Sequence, residues 1–161
     1  IAMLLAHMNW YRADAVIGSK RHPASKVDYP PVRRLTSVGY QILVKFLFGL
    51  NVRDTQTGIK IFKRELLEKV MPRLLVKDYA IDIEILSVAH HLGFKRIYEA
   101  PVSVEHKFAS LTKGSILINI FRMLLDTLAV YYRLKILRYY DDRSQRRWVY
   151  DPELEMRVNV G

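Results

Sequence analysis

The sequence predicts a layered α/β or α+β domain, and three observations carry that expectation. Short apolar runs bounded by glycine or proline alternate with stretches of helical periodicity, in helix, strand, helix, strand order. Half of the 161 residues are apolar, enough for one domain with a real core. No internal repeat and no low-complexity tract competes with that reading.

Taken in order, Ile1 to Trp10 reads as the tail of a helix, with neither the basic start nor the cleavage site of a signal peptide. A chain opening on Ile1 reads as a piece of a longer protein, or as a truncated frame beginning at Met3. The run Ala15-Val16-Ile17, closed by Gly18, is short enough for a buried parallel strand. Ser19 to Arg34 has three prolines, six charges and no period, and is expected to be a surface loop. Leu35 to Leu50 keeps helical spacing, with Gly49 as its stop. Gly58 to Phe62 reads as a short strand, and Arg64 to Leu75 as a helix disturbed by Pro72.

Asp82 to Leu92 is the next helix, with Asp82 a candidate N-cap and Gly93 placed to end it in a left-handed conformation. Lys95 to about Val104 reads as a strand, and Pro101, lacking an amide donor, argues for an edge or a strand start. Ser115 to Leu137 is a long apolar segment interrupted by Asn119, Arg122, Asp126 and Arg133, which fall within about 60° of one another on a helix. That stripe fits a helix lying at an interface, or a core helix with the stripe turned outward. Spanning a bilayer would cost roughly 2.5 to 3.5 kcal/mol each for Arg122 and Asp126, less what their pairing returns.

The formal charge of +10 is concentrated in two places. Lys20, Arg21, Lys26, Arg33 and Arg34 form one group, and Arg133, Lys135, Arg138, Arg143, Arg146 and Arg147 the other, which points to phosphate-bearing partners. Nucleic acid is the weaker choice, since the groups are separated and no zinc-finger spacing or base-stacking signature accompanies them. With no cysteine there is neither a disulfide framework nor a thiolate metal site.

Three polar clusters stand where the apolar runs begin or end. Lys20, Arg21, Arg33 and Arg34, with Ser37 at the expected opening of the next helix, combine charge, forked donors and a helix N-terminus, the ingredients of an anion site. The plainer reading is a solvated basic loop. Asp54-Thr55-Gln56-Thr57-Gly58 allows a sharp turn that approaches a ligand closely, or simply an Asx turn. Asp82 and Glu84, two apart on a helix, point about 200° apart and cannot both line one site unless the chain enters the helix between them. His90 and His91 near a helix C-terminus are accounted for by the helix dipole before any metal is invoked.

Together, Gly18-Ser19-Lys20-Arg21-His22-Pro23, Asp54 through Phe62 and Ile81-Asp82-Ile83-Glu84 resemble the acceptor-side half of a family 2 glycosyltransferase. The likeness runs from about Ala13 to Tyr140 and is to the polyprenyl-phosphate sugar transferases, the dolichyl-phosphate mannose synthase group. It implies an incomplete nucleotide-diphospho-sugar transferase (GT-A type) mixed-sheet sandwich. Residues 1–114 would be the C-terminal part of the catalytic domain, 115–140 an amphipathic membrane-interface helix, and 141–161 a polar tail.

The same resemblance assigns roles. Lys20, Arg33, Arg34 and Ser37 would hold the acceptor phosphate. Asp54, Gln56 and Asp82 would be catalytic, and Lys107 and Ser110 would form a loop over the donor diphosphate, Lys107 standing where the family more often has Arg. Mg2+ or Mn2+ and the nucleotide would be bound mainly by an amino-terminal half not found here, which holds the family's metal-binding Asp-x-Asp. The implied activity is inverting transfer of glucose or mannose from UDP-glucose or GDP-mannose to polyprenyl or dolichyl phosphate, peripherally on the cytoplasmic face of a membrane. The chain alone would be inactive, would need a complementing N-terminal fragment, and could dimerise through its exposed edge. The alternative is a non-catalytic remnant that binds anionic membranes.

Overall fold

A computed structural model describes residues 1–25, 31–76, 80–102, 113–141 and 148–159, with side chains described outside 31–36, 113–117, 148 and 156–159. The strand Ala15–Ser19 (β1) is buried at every position and is the middle strand of a mixed sheet. Lys60–Phe62 (β2) pairs with it antiparallel, Ile17 opposite Lys60, and Ile97–Pro101 (β3) pairs parallel, Ser19 opposite Pro101. Pro101 therefore closes an edge strand, where its missing amide costs no ladder bond. Gly18 is required by space: a Cβ there would lie 2.6 Å from Val102 Cγ1 and 3.3 Å from the Ile59 carbonyl.

Alternation along β1 sends its residues to two faces. Val16 joins Ala100, Ala13 and Leu4, under the N-terminal helix Ala2–Trp10 (α1). Ala15 and Ile17 join the main core with residues of Pro31–Phe48 (α2), Arg64–Val70 (α3) and Ile81–His91 (α4). Asp14, just before β1, is fixed from both sides by Arg96 (2.8 Å) and Lys63 (3.3 Å). Burial alone would raise its pKa, but the hydrogen bonds from Arg96 and Lys63 outweigh burial and hold it below the ordinary carboxylate value.

The helix ends follow the residues that permit them. α1 closes with Ala13 N–H to the Met8 carbonyl and Arg12 at φ 46°, and α4 closes the same way with Phe94 N–H to the Ala89 carbonyl and Gly93 at φ 99°. Gly49 ends α2 at φ 69°. Pro72 falls in a 3-10 turn, Met71–Arg73, that finishes α3.

Two expectations need correction. α2 begins at Pro31, inside the stretch read as loop, because proline at a first helical position needs no amide partner and has its φ already set. The stretch read as a polar tail contains an antiparallel hairpin, Trp148–Asp151 (β4) with Met156–Asn159 (β5), whose turn is held by the Asp151 carboxylate accepting from the Glu153 and Leu154 amides at 2.9 and 3.2 Å. The β-prone run Trp148-Val149-Tyr150 followed by Asp151-Pro152 was the available signal.

Lys113–Tyr131 (α5) continues into a π-helical turn, Tyr132–Ile136. Thr127, Val130 and Leu134 are buried against the domain, while Ile118, Phe121, Leu125, Leu128, Tyr132 and Ile136 are exposed, Phe121 at 62%. These six fall within about 80° on the outward side. The polar stripe of Asn119, Arg122, Asp126 and Arg133 therefore lies on the flank, not outward. Among the described residues no helix is long and apolar enough to cross a membrane.

Candidate functional site

The end of β1 gathers two of the three polar clusters. The Lys20 amide donates to Asp54 Oδ2 at 3.1 Å, joining the basic loop to the Asp54 loop across 34 residues. Arg21 Nη1 donates to the carbonyls of Ser37 (3.2 Å) and Arg53 (3.4 Å), tying the same loop to α2. Ser25 donates to the Ser19 carbonyl at 2.6 Å and accepts from the Val102 amide at 3.0 Å, so the first half of the basic loop is folded back onto the sheet.

The Asp54 loop is shaped by side-chain hydrogen bonds. Asp54 Oδ2 also accepts from the Thr57 hydroxyl at 2.5 Å, and Oδ1 accepts from the Gln56 amide at 3.3 Å, an Asx turn with a further brace. Glu99, on β3, accepts from the Arg53 and Asp54 amides at 2.7 and 3.0 Å. Gln56 Nε2 donates to Met123 Sδ at 2.7 Å, and Tyr40 on α2 shares a 2.9 Å hydrogen bond with Thr127, so α5 is fastened to the site from behind. Burial first, then the charges of Asp82 and Asp126, raise the Tyr40 pKa against the opposing bond from Thr127, so the phenol stays protonated.

The third cluster divides. Asp82 is the second helical residue of α4, and the N-cap is Ala80, without a side-chain cap. The N-cap expectation for Asp82 is thus overturned, because an opposite charge is within reach: Lys60 Nζ lies 2.9 Å from Asp82 Oδ1 and also donates to the Thr57 carbonyl. The Lys60 side chain is 7% exposed and that of Asp82 28%. Glu84, fully buried, turns the other way and accepts from the Leu75 and Val76 amides at 3.0 and 2.8 Å and from the Tyr140 hydroxyl at 2.5 Å. Burial and that bond push the Tyr140 pKa far up.

Of the expected site residues, Lys20, Ser37, Asp54 and Gln56 come together, and Asp82 is joined to them through Lys60 and Thr57. Ser37 is not at the opening of its helix, since α2 starts at Pro31; Arg33 stands one helical turn before it, and the side chains of Arg33 and Arg34 lie outside the described ones. Lys107 and Ser110 lie outside the described residues altogether. His91 bonds to Asp141 at 2.5 Å while His90 packs by Gly49, so the two do not converge. Lys60, Thr57, Tyr40 and Glu99 escaped the sequence reading. A lysine between Ile59 and Ile61 and a glutamate next to Tyr98-Ala100 in a strand were the signals, since each places a charge on one face of a short strand.

A small open hollow between α2 and the Asp54 loop, with room for about one water, is lined by Ser37, Tyr40, Gln41, Asp54, Thr55 and Gln56. It adjoins, across Val52 and Arg53, a broader depression of about 520 Å³ bordered by His22, Lys45, Asn51 and Glu99. Hydroxyls, amides and the Asp54 carboxylate line the small hollow, and Lys45, Arg53 and Glu99 the broader depression, a mixed lining with donors for both hydroxyl and anionic groups. Among the described residues no three His, Asp or Glu side chains converge in a group that could hold a metal ion.

Comparison with known proteins gives the class first: the homologues of this chain are sugar transferases of glycosyltransferase family 2 that act on polyprenyl-type lipid phosphates, at about 30% identity over most of its length. In particular, it is 33% identical over 128 residues to a dolichyl-phosphate beta-glucosyltransferase of Trichomonas vaginalis, covering 80% of this chain and 39% of the relative. It is 28% identical over 118 residues to the undecaprenyl-phosphate mannosyltransferase of Micrococcus luteus, 68% of this chain and 48% of that one. It is 30% identical over 105 residues to the polyprenol monophosphomannose synthase of Mycolicibacterium smegmatis, 64% and 39% respectively. The chain thus spans less than half the length of each of these curated relatives. No protein-family model matches it, and no solved structure matches it at a significant score.

Proposed function

We propose that this chain supplies the acceptor-side part of an inverting hexosyltransferase that moves glucose or mannose from UDP-glucose or GDP-mannose to dolichyl or polyprenyl phosphate. The observation that carries this reading is the junction of Lys20 with Asp54, beside Arg21 and Ser37, which sets the basic loop against a polar hollow at one end of the sheet. The names of the relatives, glucosyl and mannosyl transferases to such lipids, support the substrate class.

The chemistry is simple on the acceptor side. A phosphate monoester with a second pKa near 6 is already largely ionised at neutral pH, so its oxygen attacks the anomeric carbon without a strong general base. The protein has to hold that oxygen in line and keep the sugar oriented. Lys20, Arg33, Arg34 and Ser37 would take the phosphate, and Asp54, Gln56 and Asp82 the sugar hydroxyls. Lys107 and Ser110 would face the donor diphosphate. The nucleotide, and the Mg2+ or Mn2+ that balances its charge, would be held mainly by a part of the protein amino-terminal to these residues.

The exposed apolar stripe of α5 supports a peripheral seat on the cytoplasmic face of a membrane, Ile118 to Ile136 entering the headgroup layer and Lys135 and Arg138 meeting anionic lipid. That stripe alone would equally suit the second reading, a non-catalytic remnant that binds anionic membranes. Transfer of radiolabelled glucose and mannose from their nucleotides to polyprenyl phosphate in vesicles, with Mg2+ or Mn2+, separates them. Label in the lipid from the chain with an added amino-terminal half, lost in Arg33→Ala, is the expected result; vesicle binding with no transfer in any mixture would leave the remnant.

A further inference from the structure

The loop from Asn51 to Ile59 contains no regular secondary structure, so its shape depends on the side-chain bonds that pin it. One of these is unusual in kind. An ammonium as enclosed as that of Lys60 carries a desolvation cost that an unbranched apolar methionine would not, and it persists only where its partners repay it. Its partners belong to different elements: Asp82 in the first turn of α4, and the Thr57 carbonyl in the loop. Thr57 is itself buried and donates to Asp54, which in turn accepts the Lys20 amide. A continuous line of bonds therefore runs from α4 through Lys60, Thr57 and Asp54 to the first residue of the basic loop. Lys60 is too enclosed to reach a ligand in the hollow.

We propose that Lys60 is a positioning residue: clamped between Asp82 and the Thr57 carbonyl, it sets the Asp54 loop, and through Asp54 the Lys20 backbone, in the arrangement that receives the acceptor phosphate. The proposal rests on the functional reading above for its last step, the phosphate, and on geometry alone for the rest. Asp82 is then the anchor of the loop clamp, and under the functional reading above it would also orient a sugar hydroxyl with the quarter of its side chain that stays in solvent.

The test uses the full chain with Lys60→Met, Lys60→Arg, Asp82→Asn, Lys60→Met/Asp82→Asn and Thr57→Val. It reads the thermal midpoint, amide hydrogen exchange at Lys20, and affinity for polyprenyl monophosphate in zwitterionic micelles. Expected for Lys60→Met are a cooperative melt, Lys20 exchange faster by about tenfold and binding weaker by about tenfold, with partial recovery in Lys60→Arg and no further loss in the double variant. Unchanged exchange and affinity in a folded Lys60→Met would overturn the proposal. Should Lys60→Met fail to fold, Thr57→Val cuts the next link with the ammonium in place, and unchanged Lys20 exchange there would overturn it equally. Wild-type chain that binds no polyprenyl monophosphate would sink the functional reading, while the exchange measurement would still decide whether the clamp exists.

Discussion

Asp82 and Glu84 are the same chemistry two residues apart on one helix, and they do opposite jobs. Asp82 has its charge met by Lys60 and about a quarter of its side chain in solvent, while Glu84 is fully enclosed with three donors around it. The helix turns about 200° between them, so one side of α4 builds the site and the other ties Tyr140 and the Leu74–Val76 segment into the core. A carboxylate held by backbone amides in the interior stabilises the core; one paired with the enclosed Lys60 ammonium and partly in solvent anchors a loop.

Removing the inner carboxylate has the largest expected effect. Glu84→Ala leaves two amides and a buried hydroxyl without an acceptor and should cost about 3 kcal/mol or more in urea unfolding; a loss under about 1 kcal/mol would mean that water replaces the carboxylate and that the contrast with Asp82 is one of position only. Asp82→Asn should cost about 1 to 2 kcal/mol of stability, because Asp82 is partly solvated but the enclosed Lys60 ammonium loses its counter-charge, and should lower transfer in the complemented enzyme by about tenfold or more. An Asp82→Asn enzyme with full activity would place the sugar elsewhere. Tyr140→Phe removes one of the three donors to Glu84 and is expected to lower stability by about 1 kcal/mol without touching transfer.

The smallest effect lies at the far end of the same helix. Burial, then the charges of Lys95, Lys135 and His91, lower the His90 pKa, so the fold favours the neutral ring. A depressed histidine contributes stability that is complete above its ordinary value near 6.5 and is lost as the pH falls below it. Thermal midpoints should therefore decline between about pH 7 and 5, and His90→Gln should flatten that decline; an unaltered slope would assign it to other groups.

Much of the fold could be read from the chain because its signals are local. Ala15-Val16-Ile17 before a glycine, Gly49 and Gly93 after periodic runs, and Pro72 each act through their own backbone, and each appears where its residue requires. The junction of the basic loop and the Asp54 loop could be reached through resemblance. Lys60 and Glu99 could not, because their importance comes from partners 22 and 45 residues away, respectively Asp82 and the Asp54 amide, which only the tertiary fold brings within bonding distance. The direction of α5 was equally hidden: the period located Asn119, Arg122, Asp126 and Arg133 on one line, but only the packing of Thr127, Val130 and Leu134 decided that the apolar side faces out.

The central claim is that these residues capture a lipid monophosphate. The direct measurement is co-sedimentation of the full chain with neutral vesicles carrying polyprenyl monophosphate, against vesicles carrying polyprenol with phosphatidylglycerol at equal surface charge. The account predicts tighter binding to the monophosphate vesicles by about tenfold, abolished in Arg33→Ala while residual binding through α5 persists. Equal binding to the two kinds of vesicle, unaffected by Arg33→Ala, would contradict it.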